Sequence, residues 1–340
     1  MERRVISLIA ILLVNISLTY GQKNIENLVF EGAGIRGIAY AGAFESLERH
    51  GVLDSLKRVA GTSAGALTSL LISLGYSASE IVEITSEMRF EELNDGQYLF
   101  IGGLIRTKNN FGWYRDEELT NWIGSLIQAK TGDSEITFRE LHEKGFLELF
   151  VTATSLSKQK LVILSHETYP DMKVKNAVRI SMSIPLYFEA VFVDEDGAIY
   201  ESQNDSVSLE VMVDGGITGN FPIHIFDSTI VDQNDKVKRV YNPKTIGIRM
   251  ETEDQLKEDK SDRELAEVKI ENFEDYATAF YTYVLESLNR KDLTEEDWQR
   301  TISVSCKGIG PKVKKLSPKQ VKTLIASGRS AVNQYFSEHD

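Results

Sequence analysis

The chain has 340 residues, of which 42% are hydrophobic and 26% are charged. This composition is typical of a globular protein, and the length allows a full hydrophobic core. The 38 basic and 51 acidic residues give a formal net charge of −13, so we predict no nucleic-acid partner and weak attraction to anionic bilayers.

The first 21 residues have the pattern of an export signal. A short positive start (MERR) precedes the apolar stretch 5–18, which is too short and too polar in places for a membrane span. The small residues Thr19 and Gly21 then stand at −3 and −1 before Gln22. We predict that residues 1–21 are a signal peptide and that the protein is exported, either secreted or periplasmic. An uncleaved, membrane-anchoring segment is the alternative.

The stretch LVFEGAGIRGIAYAG, residues 28–42, predicts a strand, a glycine turn and a helix. Its glycines, Gly32, Gly34 and Gly37, have the spacing G-x-G-x-x-G, which suits a dinucleotide phosphate or the oxyanion of a hydrolase. A dinucleotide site needs an acidic residue at the end of the second strand. Asp54 precedes that strand instead, which favours the hydrolase interpretation.

The second strand, KRVAG, runs directly into the sequence Gly-Thr-Ser-Ala-Gly at 61–65 and then into an apolar helix. G-x-S-x-G between a strand and a helix is the context of a nucleophile elbow. Ser63 is therefore the candidate nucleophile. Gly61 and Gly65 would let the strand and the helix pass closely, and the helix would direct its positive N-terminus at the site.

Strands and helices continue to alternate along the rest of the chain, which predicts an α/β fold with a parallel sheet. We predict helices at 115–132, 174–184, 274–290 and 317–336, two strands within 147–165, and a strand at 301–309. The aromatic segment 98–114 fits a lid, an acyl groove or ordinary core. The charged stretch 251–271 is predicted as an exposed helix or loop.

A candidate for the catalytic base stands at the end of the strand LEVMVD, residues 209–214. Asp214 ends this strand and is followed by Gly215 and Gly216, although a plain Asp-Gly turn would look the same. In a Ser-Asp-His order, Asp214 would be followed by His224 or His339. Neither of these two histidines has the sequence context of a catalytic base. The same is true of the other three histidines, which are His50, His142 and His166.

Taken together, G-A-G-x-R-G, G-T-S-A-G and D-G-G resemble, in order, the motifs of the patatin-like phospholipase family. The resemblance extends to VRISMSIPLYF at 178–188, covers most of residues 27–222, and is weaker over 223–340. Ala33 stands where the family usually has a glycine, and its N–H can point into the site only if its φ is negative. We interpret residues 22–340 as one domain.

The resemblance implies a three-layer α/β/α sandwich with a mostly parallel central sheet, and a Ser-Asp dyad without histidine. Ser63 would be the nucleophile and Asp214 the base. An aspartate with an ordinary pKa near 3.9 is a poor base at neutral pH, so we predict a desolvated Asp214 with a raised pKa. The oxyanion hole would be formed by backbone N–H groups of Gly32, Ala33, Gly34, Ile35, Arg36 and Gly37.

The function that the resemblance implies is serine-dependent hydrolysis of lipid esters, of the phospholipase A or lysophospholipase type. The partner is then a lipid or membrane-surface ester, and no cofactor and no obligate metal are expected. A general carboxylesterase and a catalytically silent lipid-binding protein are the alternatives. The sequence does not predict the oligomeric state.

Overall fold

The computed structural model describes residues 24–87, 110–203, 206–259, 264–271, 273–290, 293–310 and 316–339. The predicted signal peptide, residues 1–21, and most of the aromatic segment, residues 98–109, lie outside these ranges. Among the helices of the described ranges, none has the length and apolarity needed to cross a membrane.

A nine-stranded sheet forms the centre of the fold. Its strands are β1 (Asn27–Phe30), β2 (Arg58–Gly61), β4 (Glu148–Ser155), β5 (Lys160–Leu164), β7 (Val191–Val193), β8 (Ile199–Tyr200), β9 (Glu210–Asp214), β12 (Thr245–Glu251) and β13 (Thr301–Ser305). The order is β13-β12-β1-β2-β4-β9-β7-β8, with β5 paired to β4. In this sheet order, the five neighbouring strands from β13 to β4 are parallel to one another, and the remaining pairs are antiparallel.

Two small sheets accompany the main one. β3 (Gly112–Tyr114) pairs in parallel with β6 (Leu186–Phe188), and β10 (Ser228–Val231) forms an antiparallel hairpin with β11 (Val237–Val240). Neither small sheet was expected from the alternation of strands and helices.

Helices flank the central sheet. They are α1 (Ala39–Arg49), α2 (Ala64–Ser73), α3 (Ala78–Glu87), α4 (Glu117–Thr131), α5 (Phe138–Glu143), α6 (Val174–Met182), α7 (Gly216–Gly219), α8 (Glu253–Glu258), α9 (Phe273–Asn289), α10 (Glu295–Gln299) and α11 (Pro318–His339). Two 3-10 helices, Gly34–Ile38 and Val52–Ser55, flank α1.

The sheet has a hydrophobic core on each face, because successive strand residues point to opposite sides. In β1, Leu28 and Phe30 belong to the larger core, whereas Val29 packs in a smaller one with Phe150 and Phe221. This arrangement confirms the predicted three-layer α/β/α class with a mostly parallel centre.

The strand register collects the three predicted motifs at one edge of the sheet. Phe30 at the end of β1 pairs with Gly61 at the end of β2, and Gly61 pairs with Val151 in β4. Two residues further along β4, Ala153 pairs with Asp214 at the end of β9. The loop after β1, the turn after β2 and the end of β9 therefore meet.

The sequence analysis did not identify β12, although this strand pairs with β1 and is buried along its whole length. Its sequence, TIGIRME, carries Arg249 and Glu251, and buried charges are unusual in a central strand. The prediction for 251–271 is wrong at its beginning, since Glu251 and Gln255 are buried. Residues 264–271, in contrast, have no regular structure, as a loop requires.

Candidate active site

Ser63 lies on a strained turn between β2 and α2. Its φ of 53° and ψ of −119° are unusual for a residue with a side chain, and it is 8% exposed. A Cβ on Gly65 would clash with the carbonyl of Phe30, and one on Gly61 would clash with the backbone of Gly65. Both glycines therefore allow the close packing that a nucleophile elbow requires.

The turn is held by side chains from other strands and helices. The Ser63 N–H donates to the hydroxyl of Ser181 in α6 at 2.8 Å. The hydroxyl of Thr62 hydrogen-bonds to the Thr152 hydroxyl at 2.6 Å and to the Gly219 carbonyl at 2.7 Å. Ser181 belongs to the VRISMSIP stretch, which the sequence analysis used for the resemblance without giving this serine a role.

Asp214 is buried beside Ser63. Its carboxylate accepts a hydrogen bond from the Gly216 N–H at 2.7 Å, and its own N–H donates to the Ser183 carbonyl at 2.9 Å. Burial raises the pKa of Asp214 to about 6, while the hydrogen bonds from Gly216 and from the Ser63 hydroxyl act in the opposite direction. The predicted desolvated aspartate with a raised pKa is confirmed.

The glycine loop presents a group of unpaired backbone donors. Within the described residues, the N–H groups of Ala33, Gly34 and Ile35 have no hydrogen-bond acceptor. They are the first N–H groups of a 3-10 helix, which have no partner inside the helix, and Gly34 has a φ of 55°. Ala33 has a φ of −134°, so the condition that we set for an alanine at this position is met.

Two members of the predicted oxyanion hole need correction. The Gly32 N–H donates to the Asn220 carbonyl at 2.9 Å, and the Arg36 N–H donates to the Ala33 carbonyl at 3.3 Å. Neither is available to a substrate oxygen in this conformation. The Arg36 Nε also donates to the Ala33 carbonyl, at 3.1 Å, so this side chain anchors the loop. Gly37 lies against Ala64, the neighbour of the nucleophile.

Asn220 connects the glycine loop to the D-G-G motif, and sequence reasoning missed it. Its side-chain amide donates to the Gly32 carbonyl at 3.1 Å, and its N–H donates to Asn289 Oδ1 at 2.6 Å. Asn289, at the end of α9, also donates to the Gly216 carbonyl at 3.0 Å. The two asparagines therefore tie both loops to one helix.

A buried ionic cluster connects the start of the glycine loop to strand β12. Arg249 Nη2 lies 3.4 Å from Glu31, 2.8 Å from Glu251 and 3.2 Å from Glu286. Glu31 directly precedes Gly32 and also accepts the Met250 N–H at 2.8 Å. Burial raises the pKa of Glu31 to about 8, although the neighbouring Arg249 acts against this rise. The start of the loop is thus anchored to β12 by a buried carboxyl group, Glu31, whose ionisation depends on the neighbouring Arg249.

Replacing Arg249 with methionine is expected to lower the free energy of unfolding by up to about 3–5 kcal/mol, because Glu31 loses its cation, while Glu251 and Glu286 keep only Arg290. Chemical unfolding at pH 7.5 measures this loss. Arg49→Met is the matched control, since its side chain is 62% exposed and the change should cost less than about 0.5 kcal/mol. Equal stability of the two variants would contradict this account of the cluster.

Of the described residues, one group has side chains suited to a metal ion, and it lies away from Ser63: His142, Glu148 and His166.

The described end of the aromatic segment, 110–114, includes Phe111, which is 39% exposed, and strand β3. The hypothesis of a lid or acyl groove over 98–114 otherwise concerns residues outside the described ranges.

The fold and the site define an α/β protein with a nucleophile elbow, a buried carboxyl group beside the serine, and a loop of unpaired N–H donors. The family model for patatin-like phospholipase matches residues 28–227. The chain belongs to this family.

Similar proteins include two relatives of different origin. An uncharacterized protein of Bacillus subtilis, YqhO, is 36% identical over 208 residues, which are 58% of this chain and 65% of that protein. The probable lipid hydrolase 463L of Invertebrate iridescent virus 6 is 29% identical over 211 residues, 62% of this chain and 66% of that protein. The matched part of this chain thus spans just under two thirds of both relatives.

Among solved structures, VipD from Legionella pneumophila has a similar fold. The TM-score is 0.60 at 15% sequence identity, and the match covers 93% of this chain and 67% of VipD. Since the match extends over nearly the whole chain, the fold similarity includes the C-terminal strands and helices beyond residue 227.

Proposed function

We propose that the protein is a serine-dependent lipid acyl hydrolase of the phospholipase A or lysophospholipase type. The observation that carries the proposal is the buried Asp214 carboxyl group beside Ser63, at the same sheet edge as three unpaired N–H donors. Family membership and the name of the viral relative, a probable lipid hydrolase, support the same class of reaction.

In the proposed mechanism, Ser63 Oγ attacks the ester carbonyl carbon while Asp214 accepts the hydroxyl proton. Negative charge develops on the carbonyl oxygen, where the N–H groups of Ala33, Gly34 and Ile35 stabilise it. The alcohol or lysolipid leaves with the proton from Asp214. Water then attacks the acyl-enzyme with Asp214 again as the base, and Asp214 returns the proton to Ser63 Oγ as the acyl–Oγ bond breaks and the fatty acid is released.

A carboxyl group with a pKa near 6 suits this role, because it is mostly ionised at neutral pH and still has appreciable basicity. The N-terminus of α2, which begins at Ala64, adds a favourable positive potential at the developing oxyanion. The Ser63 N–H itself is engaged by Ser181, so stabilisation of the oxyanion relies on the glycine loop.

Exposed apolar side chains on the segments that also contact the site favour a lipid substrate. Leu186 is 72% exposed and lies three residues after Ser183, whose carbonyl holds Asp214. Helix α9, whose Asn289 contacts the D-G-G motif, exposes Phe280 and Leu288. We propose that these residues face the lipid surface and that the protein acts after export.

The test is the release of fatty acid by the full-length chain from phosphatidylcholine vesicles, compared with the hydrolysis of a soluble short-chain ester. Zwitterionic vesicles avoid repulsion from the acidic protein. We expect fatty-acid release at a rate well above that of a blank with Ser63→Ala. Hydrolysis of the short ester alone would instead identify a general carboxylesterase, and no hydrolysis of either would favour a silent lipid-binding protein.

A further inference from the structure

Three side chains with metal-binding groups meet at the end of the sheet away from the candidate active site. We infer that His142, Glu148 and His166 form a binding site for a divalent transition-metal cation, with zinc as the best-matched ion. Their ligand atoms all lie within 4.8 Å of one another. This inference is independent of the proposed hydrolase function.

The fold itself brings these residues together. Glu148 is the first residue of β4, and α5, which carries His142, ends five residues earlier at Glu143. β5 runs antiparallel to β4, so the chain leaving β5 returns to the beginning of β4, where His166 follows Leu164 by two residues. Because three separate elements contribute one ligand each, a bound ion would cross-link them.

The side chains are available for coordination. The rings of His142 and His166 stack with centroids 4.1 Å apart, and His142 Nδ1 lies 3.9 Å from a Glu148 carboxylate oxygen. Apart from that contact, neither imidazole has a hydrogen-bond partner within the described residues. The ring of His166 also packs edge-to-face on Phe150, with centroids 6.2 Å apart.

Two imidazoles and one carboxylate are a ligand set that suits zinc, which usually binds four ligands in a tetrahedron at about 2.0–2.2 Å. Such bonds place the ligand atoms roughly 3.3 Å apart, so the longest separations in the cluster, of up to 4.8 Å, must shorten by about 1.5 Å. The side chains of His142 and Glu148 are 48% and 32% exposed, which leaves them room to move. A water molecule would complete the tetrahedron.

Binding also requires one ring to turn. The lone pairs of an imidazole lie in the plane of the ring, so two parallel stacked rings cannot both point at one ion. His166 is held against Phe150, whereas His142 stands on the exposed face of the short helix α5. We therefore expect His142 to rotate out of the stack when the ion binds.

The position of the cluster indicates a stabilising role. Glu148 precedes Ala153, the partner of Asp214, by five residues, or about 17 Å along an extended strand. An ion at this distance does not contact the ester. It would instead hold α5 and the turn after β5 against the central sheet.

The test uses the full-length chain, stripped of metal with EDTA and transferred to a phosphate-free buffer at pH 7.5. Zinc chloride at about a hundred times Kd is expected to raise Tm by about 3–5 °C, whereas magnesium chloride should have no effect. Calorimetric titration should give one zinc ion per chain. No zinc binding and no shift in Tm would overturn the inference.

Variants show whether the shift arises from this cluster. His142→Ala, Glu148→Gln and His166→Ala should each weaken zinc binding at least about tenfold, whereas His224→Gln, a change at a histidine outside the cluster, should leave it unchanged. If the half-buried His166 variant fails to fold, the two other variants decide. A zinc effect that persists in both would place the ion elsewhere and contradict the inference.

Discussion

Ser63→Ala is expected to lower kcat for fatty-acid release by about 10⁴-fold or more, because the proposed mechanism has no other nucleophile. The fold should persist, since alanine keeps the Cβ and the backbone of the turn. Initial rates with phosphatidylcholine vesicles, measured at saturating substrate, give this loss directly.

Ser69→Ala is the matched control for this prediction. Ser69 is a buried serine of helix α2, six residues after Ser63, and within the described part of the chain its hydroxyl has no hydrogen-bond partner, so its removal should leave both activity and stability intact. If Ser63→Ala kept more than about 1% of the wild-type rate, the assignment of Ser63 as the nucleophile would be wrong.

Asp214→Asn is expected to lower kcat by about 10³-fold or more and, at the same time, to make the protein more stable above pH 6. The carboxyl group has a pKa of about 6 in the folded chain against an ordinary value of 3.8. Its stabilising contribution is therefore complete below about pH 4 and is lost as the pH rises through 6. The loss amounts to at most about 3 kcal/mol.

Asparagine removes this ionisation and still accepts the Gly216 N–H. The free energy of unfolding of Asp214→Asn should thus exceed that of the wild type at pH 8, and the difference should vanish near pH 4. In the wild type, kcat/KM should rise about tenfold per pH unit below 6 and level off above it. A variant that is less stable at pH 8, or a wild-type rate that levels off near pH 4, would contradict this account.

The motifs were predictable from the sequence because each has a steric requirement that only certain residues meet. The G-x-S-x-G turn needs glycines where β2 and α2 approach, and it leaves Ser63 as the residue between them. The D-G-G motif likewise places Asp214 at the end of a buried strand. Since desolvation raises the pKa of a carboxyl group, its basicity followed from its position.

The supporting contacts were not predictable, because they join residues far apart in the chain. Ser181 reaches the Ser63 N–H across 118 positions, and Asn220 reaches Gly32 across 188. Glycine spacing also could not show that the Gly32 and Arg36 N–H groups already have acceptors. Strand β12 was missed because Arg249 looks like a surface residue until the three carboxylates that surround it are known.

The central claim is that Ser63 forms the acyl-enzyme, and covalent trapping tests it most directly. The full-length chain is incubated with a long-chain alkyl fluorophosphonate, which phosphonylates activated serines, and the modified peptide is located by mass spectrometry. We predict one adduct per chain, on Ser63, and none in Ser63→Ala. An adduct on another serine that accompanies loss of hydrolysis, or an active enzyme without any adduct on Ser63, would contradict the account.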